Sequence, residues 1–271
     1  PIGDAKGMGI DGLSIFKGIP YSLPPTHHGR WRPPLPMPRW EGVRDATRSG
    51  PACAQPPRRG GSIYAATLPA TDEDCLYLDI WSPEGARDLP VLVWIHGGSF
   101  IWGAGSEALC DGAALARRGA VVVSINYRLG IFGYLAHPEL SAESQDGVSG
   151  NYGLLDQIAA LEWVKQNIVD VGATPENVTI AGESAGALSV LYLMAAPAAR
   201  GLFARAIAQS AYMISTPALK DERHGHEPAE SAGARLSAKL GASNIDTLRA
   251  MDASELADAA LRAGFAPGGT I

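Results

Sequence analysis

The sequence has few of the residues that form metal sites, membrane spans or nucleic-acid surfaces. Its 271 residues include only three cysteines, and neither a CxxC pair nor a Cys/His spacing typical of zinc is present. No apolar run approaches the roughly 18 residues of a transmembrane helix. The net charge is −6 and the basic residues are scattered, which argues against a nucleic-acid partner. We therefore expect no metal, no cofactor and no membrane contact.

The cysteines leave the cellular compartment open. Cys53 and Cys75 bracket a stretch rich in proline, glycine and arginine. From composition alone, they form either a disulfide in an oxidising compartment or two buried free thiols. The chain begins with Pro1, without an initiator methionine or a signal peptide, so we expect a processed or missing segment before it. A secreted or periplasmic location is favoured if the disulfide forms, and a cytoplasmic one otherwise.

Short apolar segments alternate with helical ones along the chain. Hydrophobic residues make up 46% of the sequence, which is enough for a sizeable core. Nearly continuous apolar runs are typical of parallel strands that are buried on both faces. The predicted strands are 75–81, 91–95, 121–125, 178–181 and 205–209, and the predicted helices are 107–118, 151–171, 185–196 and stretches within 228–263. This alternation predicts an α/β fold with a mostly parallel central sheet.

Residues 182–186 match the G-x-S-x-G pattern, with Ser184 at its centre. A predicted strand precedes the pattern and a predicted helix follows it, as in a nucleophile elbow. Such a turn strains the serine backbone and leaves room only for small residues on either side, which Gly182 and Gly186 supply. A chance Gly/Ser-rich turn does not account for the flanking strand and helix. We therefore assign Ser184 as a catalytic nucleophile.

A glycine-rich loop, His96-Gly-Gly-Ser-Phe100, directly follows the predicted strand 91–95. Adjacent glycines let backbone N–H groups approach a substrate oxygen without a side chain in the way. In the α/β-hydrolase arrangement this loop pairs with the residue after the nucleophile. We therefore assign Gly97, Gly98 and Ala185 as oxyanion donors. His96 is expected to be a structural histidine that braces the loop, because the catalytic base follows the acid in this fold.

Taken together, these segments resemble the type-B carboxylesterase family, which includes cholinesterases and bacterial broad-range esterases. The matching stretches lie in the family's order and are 16–21, 73–80, 96–100, 126–130, 150–157 and 177–186. The resemblance implies an α/β-hydrolase fold, truncated before its C-terminal strands, with residues 1–271 as the N-terminal part of one domain. It also implies an esterase that acts on small-molecule carboxylic esters through an acyl-enzyme.

The resemblance also bears on the disulfide and the substrate pocket. It implies that Cys53 and Cys75 form the family's first disulfide, which leaves Cys110 as a single buried thiol. Candidate pocket residues are Glu183, Ser99 and Phe100; Ser99 replaces the commoner third glycine or alanine of the loop. The loop between the paired cysteines carries a tryptophan in cholinesterases. Residues 54–74 contain Tyr64 and no tryptophan, which argues against a choline site of that kind.

A catalytic base for Ser184 is not evident in the chain. The later histidines, His224 and His226, lie in a charged segment soon after the strand near 207. Asp221, Glu222 and Glu227 are likewise too early for the expected order of serine, acid and histidine. We therefore expect an N-terminal fragment of a longer esterase, poorly soluble and inactive by itself, with an unpaired sheet edge.

Two other functions are alternatives to an esterase. A non-catalytic binding or adhesion protein of the same fold is the main alternative, but such relatives typically lose the nucleophile, which is present here. A lipase with a membrane-facing lid is disfavoured because no clear amphipathic lid segment occurs. The oligomeric state stays open.

Overall fold

A seven-stranded mixed sheet forms the centre of the computed structural model, which describes residues 3–58, 68, 70–212 and 216–267. Two pairs of short strands lie outside this sheet. In chain order the strands are β1 (Asp4–Lys6), β2 (Met8–Ile10), β3 (Leu13–Pro20), β4 (Val43–Asp45), β5 (Ala52–Cys53), β6 (Thr71–Asp72), β7 (Tyr77–Pro83), β8 (Leu89–Ile95), β9 (Val121–Ile125), β10 (Ala173–Glu183) and β11 (Arg205–Gln209).

Helices connect and cover the strands. The longest, α4, contacts β10, and α5 contacts β8, β10 and β11. In chain order the helices are α1 (Ala113–Ala116), α2 (Gly130–Tyr134), α3 (Pro138–Glu143), α4 (Tyr152–Asn167), α5 (Ala185–Ala195), α6 (Ala229–Lys239), α7 (Ile245–Arg249) and α8 (Ala253–Arg262). Short 3₁₀ turns occur at His27–Gly29, Ala108–Cys110, Ile168–Val171 and Pro197–Ala199.

The sheet has a parallel half and an antiparallel half. Its strand order is β11-β10-β8-β9-β7-β3-β2. The pairings from β11 to β9 are parallel, and those from β9 to β2 are antiparallel. The central strand β9 is buried at every position, as its nearly continuous apolar run predicts. The predicted α/β fold is thus confirmed, with a sheet that is mixed rather than mostly parallel. The parallel strands are those that end at the site described below.

Three predicted strands have shifted ends, and the smallest shift is in β8, which starts at Leu89 rather than at residue 91. β7 starts at Tyr77 rather than Cys75, because the Tyr77 N–H turns back to donate to the Cys75 carbonyl and Cys75 is bonded to Cys53. β10 starts earlier than predicted, because Ala173 already pairs with Leu89 before a break in register that ends at Val178.

The predicted helix 107–118 is wrong. The segment forms only the 3₁₀ turn Ala108–Cys110 and the single-turn α1. The Asp111 carboxylate accepts the Ala113 N–H at 2.8 Å, a local bond that competes with helix continuation. In addition, a β-carbon on Gly112 would lie 2.7 Å from the Val122 side chain, so the chain here lies directly on the sheet.

The longer predicted helices are confirmed, with shorter bounds. α4 ends at Asn167, continues as one 3₁₀ turn and stops at Gly172, which has a φ of +80°. Residues 228–263 form α6, α7 and α8, and the predicted turn near 241–244 separates the first two. The Asn244 side chain accepts the Thr247 N–H at 2.9 Å and so starts α7.

Three apolar clusters hold these elements together, and the smallest lies between α1 and the strands β3, β7 and β9. The largest contains the inner residues of the parallel strands and the faces of α4 and α5 that cover them. The second lies among α2, α7 and α8, where Phe132, Leu248 and Leu256 are at most 3% exposed. Arg30 joins the second cluster to the rest of the chain. Its guanidinium pairs with Glu73 and donates to the Leu248 carbonyl.

One edge of the sheet is open in the part of the chain that the structure describes. β11 pairs only with β10, and each of its residues is exposed. Ile207 in this strand is 45% exposed, and Met194 on the adjoining α5 is 60% exposed. An unpaired strand beside exposed apolar side chains is a surface on which another strand or helix can pack.

We predict that the buried ion pair between Arg128 and Asp156 is a main determinant of stability. Arg128 Nε and a terminal nitrogen each donate at 2.7 Å to a different Asp156 oxygen, and both side chains are at most 3% exposed. Asp156→Asn should lower the free energy of unfolding by about 3 kcal/mol, because it leaves a buried guanidinium without its counter-charge. The exposed control Asp170→Asn should change it by less than about 0.5 kcal/mol. Urea denaturation measures both, and equal shifts would contradict the prediction.

Candidate active site

Ser184 occupies a sharp turn between β10 and α5. Its backbone φ of 56° and ψ of −120° are strained for a residue with a side chain. The turn is held on both sides: the Ser184 N–H donates to the Gln209 carbonyl of β11, and its carbonyl accepts the Leu188 N–H of α5, both at 3.0 Å. The N-terminal end of α5 therefore lies directly beside the Ser184 side chain.

The glycines on either side of Ser184 are required by close packing. A β-carbon on Gly182 would lie 2.4 Å from the backbone of Gly186. A β-carbon on Gly186 would lie 2.1 Å from the carbonyl oxygen of Ile95, the last residue of β8. No side chain fits at either position, so the G-x-S-x-G pattern reflects contact between the turn and the end of β8.

The glycine-rich loop after β8 forms a second tight turn. Gly98 has a φ of +106°, and its carbonyl accepts the N–H groups of Ile101 and Trp102. Ser99 and Phe100 follow with φ values of 56° and 59°, also in the left-handed region. Three successive residues with positive φ form this turn, a backbone arrangement that is uncommon outside glycine.

The loop and the turn at Ser184 meet at Gly97. A β-carbon on Gly97 would lie 2.7 Å from the Glu183 carbonyl oxygen and 3.3 Å from Ser184 Cβ. Within the described residues, the N–H groups of Gly97 and Gly98 donate to no protein acceptor. Ala185 is the first residue of α5, where backbone N–H groups lack an acceptor within the helix. The backbone of the predicted donors, Gly97, Gly98 and Ala185, thus adjoins Ser184.

His96 is buried and braces the loop, in agreement with its expected structural role. Its Nδ1 lies 2.8 Å from the Gly97 carbonyl oxygen, and its ring stacks on Tyr127 with centroids 4.5 Å apart. The Tyr127 hydroxyl donates to the His96 carbonyl at 2.8 Å. Burial lowers the pKa of His96 from 6.5 to about 4, so the ring is neutral and Nδ1–H is the donor to Gly97.

The candidate pocket residues differ in their surroundings. Glu183 and Ser99 are half-buried, and a Glu183 carboxylate oxygen lies 3.2 Å from the position that a β-carbon of Gly97 would take. Phe100 is 3% exposed and packs in the core against Tyr134, with ring centroids 5.0 Å apart. The structure thus places Glu183 beside the glycine-rich loop, and Phe100 in the core rather than on a pocket surface.

The disulfide is present and adjoins this loop through a residue that sequence reasoning missed. Cys53 and Cys75 are bonded to each other. The side chain of Gln55 connects Cys53 to Gly103 through hydrogen bonds. The only sequence signal is a polar amide two residues after a paired cysteine. Asn126, directly after the buried strand β9, has a similar position on the other side.

The six histidines do not provide a visible base for Ser184. His27 and His28 lie in an exposed 3₁₀ turn, and His137 caps α3 by accepting the Glu139 N–H. His224 and His226 lie in an exposed turn before α6. Among the described residues, no hydrogen bond joins any of them to Ser184.

The remaining expectations concern Tyr64, Cys110, metal sites and membrane-spanning helices. Tyr64, in the loop without tryptophan, lies outside the described residues. Cys110 is half-buried rather than buried, because it lies in the surface turn Ala108–Cys110; burial still raises the pKa of its thiol to about 11. In the described ranges, no cluster of three or more His, Cys, Asp or Glu is arranged to hold a metal, and no helix has the length and apolarity to cross a membrane.

We predict that the His96 ring stays neutral, with its proton on Nδ1, at every pH above about 5. Because the folded pKa lies below 6.5, unfolded chains bind more protons as the pH falls from 6.5 toward 4, and the stability that the neutral ring contributes is lost over that range. NMR of isotope-labelled histidine measures the tautomer, with His96→Gln to assign the signal. A ring that titrates near neutral pH would contradict the structural role.

Comparison with known proteins agrees with this geometry. The profile of the Carboxylesterase family matches residues 3–269. Fumonisin B1 esterase of Sphingopyxis macrogoltabida is 46% identical over 92% of this chain and 44% of its own length. Para-nitrobenzyl esterase of Bacillus subtilis is 49% identical over 77% of this chain and 42% of its own length. The chain therefore spans less than half the length of these relatives.

Solved structures show the same fold. A thermophilic PNB esterase superposes with a TM-score of 0.85 at 41% identity, covering 97% of this chain and 52% of that protein. The mixed sheet with its covering helices is thus an α/β-hydrolase fold. On the sequence match and the shared fold together, the chain belongs to the carboxylesterase family.

Proposed function

We propose that this chain supplies the nucleophile and the oxyanion donors of a carboxylic ester hydrolase. The observation that carries the proposal is the close approach of Gly97 to the Glu183 carbonyl oxygen and to Cβ of the strained Ser184, because the N–H groups of Gly97 and Gly98 donate to no acceptor among the described residues. The names of the relatives, a fumonisin B1 esterase and a para-nitrobenzyl esterase, support an ester of a small molecule as the substrate.

The proposed reaction proceeds through an acyl-enzyme. The Ser184 hydroxyl oxygen attacks the ester carbonyl carbon and loses its proton to a base. The carbonyl oxygen becomes negatively charged and accepts hydrogen bonds from Gly97, Gly98 and Ala185. Collapse of this intermediate breaks the bond to the alcohol, which leaves with a proton. Water then attacks the acyl group on Ser184 and releases the acid.

The base and its acid partner are proposed to lie outside the described residues. Ser184 has no histidine partner among them, and a serine hydroxyl is a weak nucleophile without a base. The open edge at β11 is where further elements of a larger sheet would pack. The intact gene product that carries this chain is therefore the material for the test.

We predict that a fluorophosphonate labels Ser184 in the intact protein, and that p-nitrophenyl acetate gives a burst of p-nitrophenol. Ser184→Ala should abolish both signals, because no other group can form the acyl-enzyme. The control Ser231→Ala, at an exposed position on α6, should retain both. Mass spectrometry locates the label and stopped-flow absorbance measures the burst.

The same experiment separates the enzyme from a non-catalytic binding protein. A wild-type protein that shows neither labelling nor a burst would overturn the esterase proposal and favour the binding protein. A label on a serine other than Ser184 would overturn the assignment of the nucleophile.

A further inference from the structure

We propose that Gln55 is a positioning residue for the oxyanion loop: with Asn126, it connects the Cys53–Cys75 disulfide to the backbone that orients the Gly98 N–H. The inference rests on the proposed esterase function, and it concerns residues that do not touch the substrate. It follows from a chain of buried hydrogen bonds between the disulfide and the loop.

The Gln55 side-chain amide forms hydrogen bonds with Gly103 through both its nitrogen and its oxygen. Its Nε2 donates to the carbonyls of Cys53 and Gly103, each at 2.9 Å. Its Oε1 accepts the Gly103 N–H at 3.0 Å. Gln55 is 6% exposed, so water cannot readily replace these bonds. The backbone of Gly103 is therefore held in register with Cys53.

Gly103 in turn packs against the brace of the oxyanion loop. Its φ is +117°, and a β-carbon there would lie 2.3 Å from His96 Nδ1 and 2.8 Å from the Gly97 carbonyl oxygen. The backbone of Gly103 thus closes over the hydrogen bond from His96 to Gly97. A shift of Gly103 would open space beside this bond and free the His96 ring to turn.

The hydrogen bond from His96 sets the direction of an oxyanion donor. The Gly97 carbonyl and the Gly98 N–H belong to the same planar trans peptide, so they point in opposite directions. Fixing the Gly97 carbonyl on His96 Nδ1 therefore fixes the direction of the Gly98 N–H. If this peptide rotates, the donor is lost without any change at Ser184.

Asn126 makes the matching connection from the other cysteine. Its Nδ2 donates to the Cys75 carbonyl at 3.1 Å and to the Pro51 carbonyl at 2.9 Å. Its Oδ1 accepts the Gly105 N–H at 2.8 Å. Asn126 is 4% exposed. Both halves of the disulfide are thus linked by a buried amide to segment 103–105, which packs on the loop.

The test replaces Gln55 with methionine, which has a similar size and cannot form these hydrogen bonds. Because oxyanion donors act on the transition state, Gln55→Met should lower kcat for p-nitrophenyl acetate by about 10- to 100-fold, with KM within about 3-fold of wild type. The matched control is Asn167→Leu, which removes a buried amide bonded to the Trp163 carbonyl at the end of α4. It should leave kcat within about 2-fold of wild type.

Hydrogen–deuterium exchange gives a readout that does not need activity. Backbone amides in segment 96–106 should exchange about 10-fold faster in Gln55→Met than in wild type. Their exchange rates in Asn167→Leu should equal those of the wild type. A wild-type protein without esterase activity would overturn the proposed function, whereas the exchange rates still decide whether Gln55 holds the loop.

A second variant, Gln55→Glu, tests the same hydrogen bonds if Gln55→Met does not fold. A neutral carboxyl can reproduce both bonds to Gly103, since its O–H donates and its other oxygen accepts. Burial raises the pKa of such a carboxyl, so the ratio of variant to wild-type kcat should be highest at acidic pH and fall as the pH rises.

A positioning role and a purely structural role of Gln55 predict different results. A selective loss of kcat in Gln55→Met, faster exchange in segment 96–106 and a pH-dependent ratio in Gln55→Glu support the positioning role. Unchanged kcat and exchange in Gln55→Met, a change in KM alone, or an equal loss in Asn167→Leu would overturn it.

Discussion

The site depends on the packing of one backbone turn onto the end of one strand. The Ser184 turn can approach Ile95 only because Gly182 and Gly186 have no side chains, and this approach brings the loop residue Gly97 close to Ser184. A side chain at any of the three glycines would separate the two halves of the site by more than the tolerance of a hydrogen bond. The strained φ of Ser184 is maintained by this contact.

The hydrogen bonds that hold the glycine-rich loop come from neutral side chains. Burial keeps His96 uncharged, and the amides of Gln55 and Asn126 satisfy backbone groups without adding a net charge. The charge of Arg58 acts in the same direction as burial and lowers the pKa of His96 further. The formal charge nearest to Gly97 in the described contacts is the carboxylate of Glu183.

Much of this arrangement could be predicted from the sequence, because the turn at Ser184 and the loop at Gly97 each leave a local sequence pattern, even though the two meet only in the folded chain. The glycine pattern around Ser184 and the pair Gly97-Gly98 follow strands whose apolar runs are easily recognised. The hydrogen bonds of Gln55 and Asn126 cross long sequence separations, so no local pattern reveals them. The helix expected at 107–118 failed for a related reason, since contact of Gly112 with the sheet overrode local helix propensity.

The left-handed backbone at Ser99 has a consequence for how this enzyme family can diversify. A residue there must tolerate a φ near 56°, which suits glycine and asparagine and excludes β-branched side chains. Ser99 is also half-buried within the glycine-rich loop, so a larger side chain there would have to find room among its neighbours. Variation at this position is therefore limited by the backbone conformation as well as by the surroundings of the side chain.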